Sequence, residues 1–348
     1  VAFVGGMDLT VKRWDTSRHV FADPLRRCVD GSAYEPVHDI QMAVDGEAAA
    51  GVAEVAKERW RVAIGEEIDP VTGDPDPWPE ALAVEFHDTA IGIARTQPRW
   101  AGRPAVHEIA TLTADALRAA RHSIYIEAQY LTVSFVGDIL SELLAKPDGP
   151  EVVVVTTFKS NGAVEHWAMG SNRDRLLRRL KRADRHGRLR AYYPLASSDA
   201  GECQVVVHSK LLIVDDTFLR IGSANLNNRS MGLDTECDLV VEGGSSAARR
   251  SILRLRNRLL AEHLCRDCDE VAEVANETRS ICRALDGLND TRLGLRAFDM
   301  LELKGPTRPV FGTALLDPKR PFRLLRLFGA ITPRRKRVRY VKTVAAGL

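Results

Sequence analysis

Residues 151–157, EVVVVTT, form an almost continuous run of β-branched side chains with no polar alternation. A strand of this kind is apolar on both faces, so it must lie inside a sheet with a further layer packed on each side. The surrounding segments supply those layers. Residues 113–121 and 163–185 carry helical periodicity, residues 123–127 and 189–193 read as strands, and further helices are expected over 245–263 and 269–285. The fold class this predicts is α/β, an α/β/α sandwich with mixed sheets. With 348 residues and 45% hydrophobic content, the chain has enough material for one large core or two lobes.

The chemistry is concentrated in residues 205–242, VVVHSKLLIVDDTFLRIGSANLNNRSMGLDTECDLVVE, which place His208, Lys210 and Asp215 in the spacing H-x-K-x-x-x-x-D. The apolar run 211–214 is a buried strand, so alternation puts His208 and Lys210 on one face and Asp215 on the other. One imidazole and one ammonium therefore point into a common site. The imidazole can attack phosphorus or protonate a leaving alkoxide, while the ammonium neutralises oxygens that gain charge in the transition state. Asp215 is expected to be a structural carboxylate. After a turn at Asp215 and Asp216, a strand over 218–221 leads into Gly222 and Ser223, small residues that let backbone approach a phosphate, and then Asn225, a side-chain donor.

This motif resembles the second catalytic motif of the phospholipase D superfamily. The resemblance implies a phosphate pocket lined by His208, Lys210 and Asn225 with Ser223 beside them. It also implies a downstream acid that holds the histidine's second ring nitrogen, with Glu236 as the best match and Asp234 behind it. The opening of the chain, AFVGGMDLTVKRWD, parallels the later motif: Gly5 aligns with Gly222, Gly6 with Ser223 and Asp8 with Asn225. Such a repeat indicates two related lobes, each giving half of one pocket, so Gly6, Asp8 and Gly222 join Ser223 as substrate-binding candidates. The histidine matching His208 would fall upstream of Val1, so the first lobe is expected to be incomplete and the chain a truncated fragment with little activity alone. Two further segments share the resemblance. PVHDI at 36–40, with Val37 in place of the usual tryptophan, and IYIEAQY at 124–130, with Ala128 in place of asparagine, put His38, Asp39, Glu127 and Gln129 at the pocket border.

The expected organisation is a remainder of the first lobe over 1–65, an irregular connector over 66–103 with prolines at 70, 75, 77, 79 and 98, and a second, catalytic lobe over 104–286. A C-terminal extension follows over 287–348, loosely packed from about residue 306 and ending in a basic tail. Net charge is only +2, so the chain as a whole makes no case for nucleic acid as a partner. Arginines do crowd into 173–190 and 333–339, each stretch being either a solvated face or a contact for anionic headgroups. Six unevenly spaced cysteines do not form a disulfide framework, and Cys265 and Cys268, a lone C-x-x-C, have no second pair to complete a zinc site. No apolar run approaches the roughly eighteen residues that span a bilayer. A cytoplasmic or peripheral membrane location is therefore expected.

The resemblance implies a phospholipase D-type phosphodiesterase or phosphatidyltransferase acting on phospholipids through a phosphohistidine intermediate, with water or an alcohol as acceptor. It requires no cofactor and no metal, because lysine, asparagine and backbone donors carry the electrostatic work. The alternatives are a cardiolipin synthase-like transferase, a nuclease of the superfamily completed by homodimerisation, and a catalytically dead phosphate or lipid binder.

Overall fold

The computed structural model describes residues 1–69, 78–100, 102–159, 166–290, 294–301 and 304–319. In the N-terminal segment, strands β1 (Ala2–Gly5), β2 (Val37–His38) and β3 (Gln41–Val44) precede helix α1 (Gly46–Ile64). Next come β4 (Ile91–Gln97), β5 (Val106–His107) and α2 (Glu108–Ala119), then β6 (Ser123–Ala128), α3 (Ser134–Ala145) and β7 (Glu151–Thr156). Helix α4 (Ser171–Ala183) leads to β8 (Leu189–Ser198), β9 (Gly201–Gln204) and β10 (Val206–Val207), and the motif strands are β11 (Lys210–Val214) and β12 (Phe218–Gly222). The chain continues through α5 (Asn228–Gly232), β13 (Glu236–Glu242), α6 (Ser246–Leu264), α7 (Cys268–Thr278), α8 (Ile281–Leu288) and β14 (Gly294–Ala297).

Ten of these strands build one mixed sheet in the order β14-β8-β7-β6-β11-β12-β13-β4-β5, with β9 on β8. Strands β6, β7 and β8 run parallel, and the other pairs are antiparallel. Alternation along the central strands divides the core. Ile124, Ile126, Val152, Val154, Leu212 and Val214 pack on one face against Leu117 of α2, Leu140 and Leu144 of α3 and Leu177 of α4. Tyr125, Val153, Val155, Leu211 and Ile213 pack on the other against Ile252, Leu255 and Leu259 of α6 and Leu285 of α8. The layered α/β/α arrangement expected from the unbroken valine run is thus present. A smaller core of Val4, Val44, Cys237 and Leu239, covered by Ala48, Ala49, Val52 and Val55 of α1, seats the antiparallel β1–β3 pair on the sheet.

Several expected boundaries change. The connector over 66–103 is not irregular throughout: its β4 pairs with β13 from Glu236↔Thr96 to Val241↔Ile91. Residues 70–77 lie outside the described residues. The helix expected over 163–185 is a π-helical turn, His166–Gly170, followed by α4, and 163–165 lie outside the described residues. The helix expected over 269–285 is two helices, because Arg279 takes a left-handed φ of 49° and Ser280 accepts from the Arg283 amide at 3.0 Å to start α8. The extension is packed on the rest of the chain both before residue 306 and within 306–319, and residues 320–348 lie outside the described residues. Its β14 joins the sheet edge, and Asp317 is buried, accepting from Thr132 Oγ1 at 2.9 Å and the Arg229 amide at 3.1 Å. The basic tail at 333–339 lies outside the described residues.

The arginine run over 173–190 is largely tied to the protein itself. Arg175, Arg178 and Arg182 donate to the carbonyls of Arg308, Pro306 and Gly305, and Arg179 and Arg190 pair with Asp138 and Asp286. Among the described residues, no helix is long and apolar enough to cross a membrane.

Candidate functional site

Strand β2 pairs in parallel with β10, Val37 beside Val206 and His38 beside Val207, and the amide of His208 donates to the carbonyl of His38 at 2.8 Å. Successive residues of an extended segment point to opposite sides, so the side chain after His38 turns towards the motif. That residue is Asp39, and its Oδ2 lies 2.8 Å from His208 Nδ1. A carboxylate only accepts, so Nδ1 carries a proton and Nε2 is left as the ring atom that faces away from Asp39. The Asp39 side chain is 3% exposed and that of His208 11%, which keeps this pair out of competing water.

Lys210 opens β11 opposite Ala128. Its Nζ donates to the carbonyl of His208 at 2.5 Å and stands 3.5 Å from Gln129 Oε1. Burial pushes this ammonium down to about 8, against the pull of the Asp39, Glu236 and Asp8 carboxylates around it. Gly6 supplies the wall. A Cβ there would stand 2.4 Å from Lys210 Cδ and 2.8 Å from Nζ, so any other residue would push the end of the lysine out of its present position. The substitution Gly6→Ala is expected to displace the ammonium and to lower phosphate-ester turnover about tenfold to a hundredfold, checked by steady-state rates on the folded variant.

The carboxylate expected to hold His208 is not the one that does. Glu236 instead accepts from Ser223 Oγ at 2.6 Å, and burial raises its pKa. Asp234 pairs with Arg229 at 2.7 Å. The functional hold comes from Asp39, a residue placed by its sequence context only at the pocket border. Ser223 uses both its donors inside the protein: its hydroxyl, bonded to Glu236, also accepts from the Cys237 amide at 3.0 Å, and its own amide donates to the Cys237 carbonyl at 3.1 Å. Gly222 is small for another reason than phosphate approach, since a Cβ there would meet Asp238 Oδ1 at 2.0 Å. Asn225 sits just beyond β12, where its Oδ1 is buried without a hydrogen-bond partner among the described residues. Asp8 is turned to Arg13 at 2.9 Å. Asp215, at φ 52°, accepts from the amides of Arg121, His122 and Ser123 at 2.7–2.9 Å and so fixes the start of β6.

Two pocket-border candidates are interior instead. Glu127 has no exposed surface and accepts from His38 Nε2 at 2.8 Å, His263 Nε2 at 3.0 Å and Tyr125 Oη at 2.5 Å. His38 is 2% exposed, and its Nδ1 meets Glu262 Oε1 at 2.7 Å. Among the described residues, the groups compact enough to hold a cation are His19 with His38 and Glu262, and His38 with Glu127 and His263. Neither includes Cys265 or Cys268, and their facing atoms already satisfy one another as donors and acceptors. A recess of about 1020 Å³ lies elsewhere, lined by Ile91, Ile93, His107 and Glu108, and it includes neither His208 nor Lys210.

Comparison with known proteins gives two family matches. The family described as "Cardiolipin synthase, PLD-like domain" matches residues 113–251, which hold the whole motif, and the family described as "Phospholipase D" matches residues 1–74, which hold Gly6 and Asp39. The chain belongs to the phospholipase D superfamily. Similar superfamily members include phospholipase D A of Dictyostelium discoideum, 24% identical over 335 residues, covering 76% of this chain and 26% of the relative. Phospholipase D gamma 2 of Arabidopsis thaliana is 23% identical, covering 76% of this chain and 45% of the relative. The chain thus spans less than half the length of these phospholipases D. Solved structures of similar chains are phosphatidylserine synthase of Haemophilus influenzae, 14% identical with a TM-score of 0.38 over 63% of this chain and 47% of that one, and the phospholipase D family member Nuc of Salmonella typhimurium, 17% identical with a TM-score of 0.34 over 49% of this chain and 94% of that one.

Proposed function

We propose that this chain carries a phosphate half-site of a phospholipase D-type enzyme that cleaves or transfers the phosphatidyl group of phospholipids. The observation that carries the reading is the His208 Nδ1–Asp39 hydrogen bond with the Lys210 ammonium alongside. Fixing Nδ1–H leaves Nε2 free to face phosphorus. Unprotonated, Nε2 forms an N–P bond as the P–O bond to the headgroup breaks, and water or an alcohol later displaces the imidazole. Protonated, the same atom delivers its proton to the departing headgroup oxygen while a histidine of the opposite lobe attacks. Asp39 stabilises the imidazolium in either role. Lys210 neutralises the phosphoryl oxygens, and Asn225 adds an amide donor. Gly6 and Gln129 hold the lysine in place.

A preference for phospholipid over other diesters is supported by the relatives named phospholipase D and by residues 1–74, which match that family's description. The description matched by residues 113–251 favours a second reading within the same chemistry, transfer to an alcohol acceptor rather than to water. Headgroup release from phosphatidylcholine vesicles, with and without a primary alcohol, tests both. Choline release or a new phosphatidyl-alcohol that disappears in His208→Ala supports the enzyme reading. Phosphate binding with no turnover by the unsubstituted chain would leave only a phosphate-binding function.

The lysine gives a pH signature. Because burial lowers Lys210 to about 8 from an ordinary 10.5, the cost of burying its charge is fully present below pH 8 and is relieved as pH rises between those values. Binding runs the other way. Affinity for inorganic phosphate is expected to fall as pH rises through about 8, and Lys210→Met is expected to flatten that limb, read by titration calorimetry across pH.

A further inference from the structure

Behind the site lies a row of imidazoles and carboxylates that the reaction itself does not touch. Starting from the loop after β1, Arg26 Nη1 donates to Asp15 Oδ1 at 2.8 Å, and Asp15 Oδ2 lies 2.9 Å from His19 Nδ1. His19 Nε2 stands 3.1 Å from Glu262 Oε1 on α6, the same oxygen that meets His38 Nδ1 at 2.7 Å. His38 Nε2 then meets Glu127 Oε2 on β6 at 2.8 Å, and Glu127 Oε1 takes His263 Nε2 and the Tyr125 hydroxyl. The row ends at His263 Nδ1, which has no partner among the described residues.

We propose that His38 is a buried imidazolium clamped between Glu127 and Glu262, and that this clamp is a positioning device that fixes Asp39 and, through it, the Nδ1–H tautomer of His208. The charge follows from geometry. Carboxylates only accept, so a ring with a carboxylate on each nitrogen must carry a proton on both. The transmission follows from the backbone. His38 ends β2 and Asp39 follows it directly, and one side chain is held in the interior by Glu127 while the next meets His208. A shift of β2 would move both at once, and it would also disturb the hydrogen bond that the His208 amide donates to the His38 carbonyl. The partners that hold His38 come from β6 and α6, whereas His38 itself belongs to the N-terminal segment. The clamp therefore ties the segment that supplies Asp39 to the layer that supports β11.

The groups facing His38 are Glu127 and Tyr125 from β6, Glu262 and His263 from α6, and His19 with Asp15 and Arg26 behind it from the loop. Burial alone would discharge His38, but the Glu127 and Glu262 carboxylates outweigh it and hold its pKa well above the ordinary histidine value. Burial likewise opposes the charge on Glu262, yet the hydrogen bonds from His19 and His38 bring it down to about 2. The stabilisation from His38 is thus fully present below its unfolded value and is lost as pH rises through its raised folded value. The stabilisation from Glu262 is present above its unfolded value and is lost as pH falls towards about 2. Between those limits the clamp is closed.

The inference rests on the phosphate half-site reading only for its catalytic meaning, so the test uses the substrate-free protein. NMR of nitrogen-labelled histidine should show both ring nitrogens of His38 protonated at neutral pH and His208 as a single Nδ1–H tautomer. In Glu262→Gln, His38 is expected to titrate at least about one pH unit lower, and His208 to become a mixture of tautomers as it does so. A His38 with one ring proton at neutral pH would overturn the proposal, as would a stoichiometric divalent ion in metal analysis of the purified chain. Should Glu262→Gln not fold, alkaline titration of the unsubstituted protein decides: the His208 tautomer must change together with His38 deprotonation, and an unchanged tautomer overturns the proposal. Each result is read without phosphate, so failure of the clamp leaves the half-site reading standing.

Discussion

On the half-site reading, whatever headgroup release this chain supports from phosphatidylcholine is expected to fall by roughly ten-thousandfold or more in His208→Ala, leaving only what binding and oxyanion stabilisation supply. The leaving group then separates the two roles of Nε2. With a 4-nitrophenyl phosphodiester, whose leaving oxygen departs without a proton, a nucleophilic His208 predicts the same loss in His208→Ala. An acidic His208 predicts a much smaller one. Asp39→Asn is expected to fall between wild type and His208→Ala, because an amide at 2.8 Å can present a donor where Nδ1–H needs an acceptor and so selects the wrong tautomer. Initial-rate measurements on both substrates check all three statements.

The largest stability effect is expected one strand away from the site. Arg220 on β12 and Asp238 on β13 are 1% and 0% exposed, with Nε and Oδ2 3.5 Å apart and neither atom hydrogen-bonded among the described residues. Burial lowers the pKa of Arg220 and raises that of Asp238, so for both groups the loss of water outweighs the attraction between them. Thr113 Oγ1, which accepts from Arg220 Nη1 at 2.6 Å, and the Ala224 amide, which donates to Asp238 Oδ1 at 3.0 Å, satisfy part of each group. Asp238→Ala strands the guanidinium and is expected to cost about 3–5 kcal/mol. The double change Arg220→Met with Asp238→Val removes both charges and is expected to recover most of that. Urea denaturation midpoints at constant slope distinguish the two outcomes.

What the sequence made legible follows the reach of each signal. The unbroken valines of β7 and the motif strand β11 announce themselves locally, because burial on both faces leaves no polar alternation within the strand. The sequence of β4, IGIARTQ, has glycine and arginine inside and proline just after, so its strand character comes from pairing with β13 rather than from its own residues. Similarly, α7 and α8 share one helical periodicity, and the break at Arg279 depends on a backbone conformation that residue type does not reveal.

The same division runs through the site. His208 and Lys210 are two residues apart, and a strand's period puts them together. Asp39 lies 169 residues from His208, so nothing in the motif's own spacing selects it over Glu236. The visible signal was the PVHDI segment, and what it lacked was the parallel β2–β10 pairing that carries Asp39 to the imidazole. The resemblance of PVHDI and IYIEAQY to family segments puts His38 and Glu127 at the pocket edge, whereas in the structure both ring nitrogens of His38 lie between the Glu127 and Glu262 carboxylates, a pairing that neither segment reveals. Gly222 was legible as a residue that must be small, although the neighbour that demands it is Asp238 and not a phosphate.

The most direct test of the half-site is to follow the His208 ring nitrogens by NMR while titrating inorganic phosphate into the unsubstituted chain. The expected result is a ring protonated at Nδ1 before addition, with Nε2 perturbed on saturation and the perturbation lost in Lys210→Met. Phosphate binding that leaves Nε2 unmoved, or a free ring protonated at Nε2 instead of Nδ1, would contradict the assignment of His208, Asp39 and Lys210 to one phosphate site.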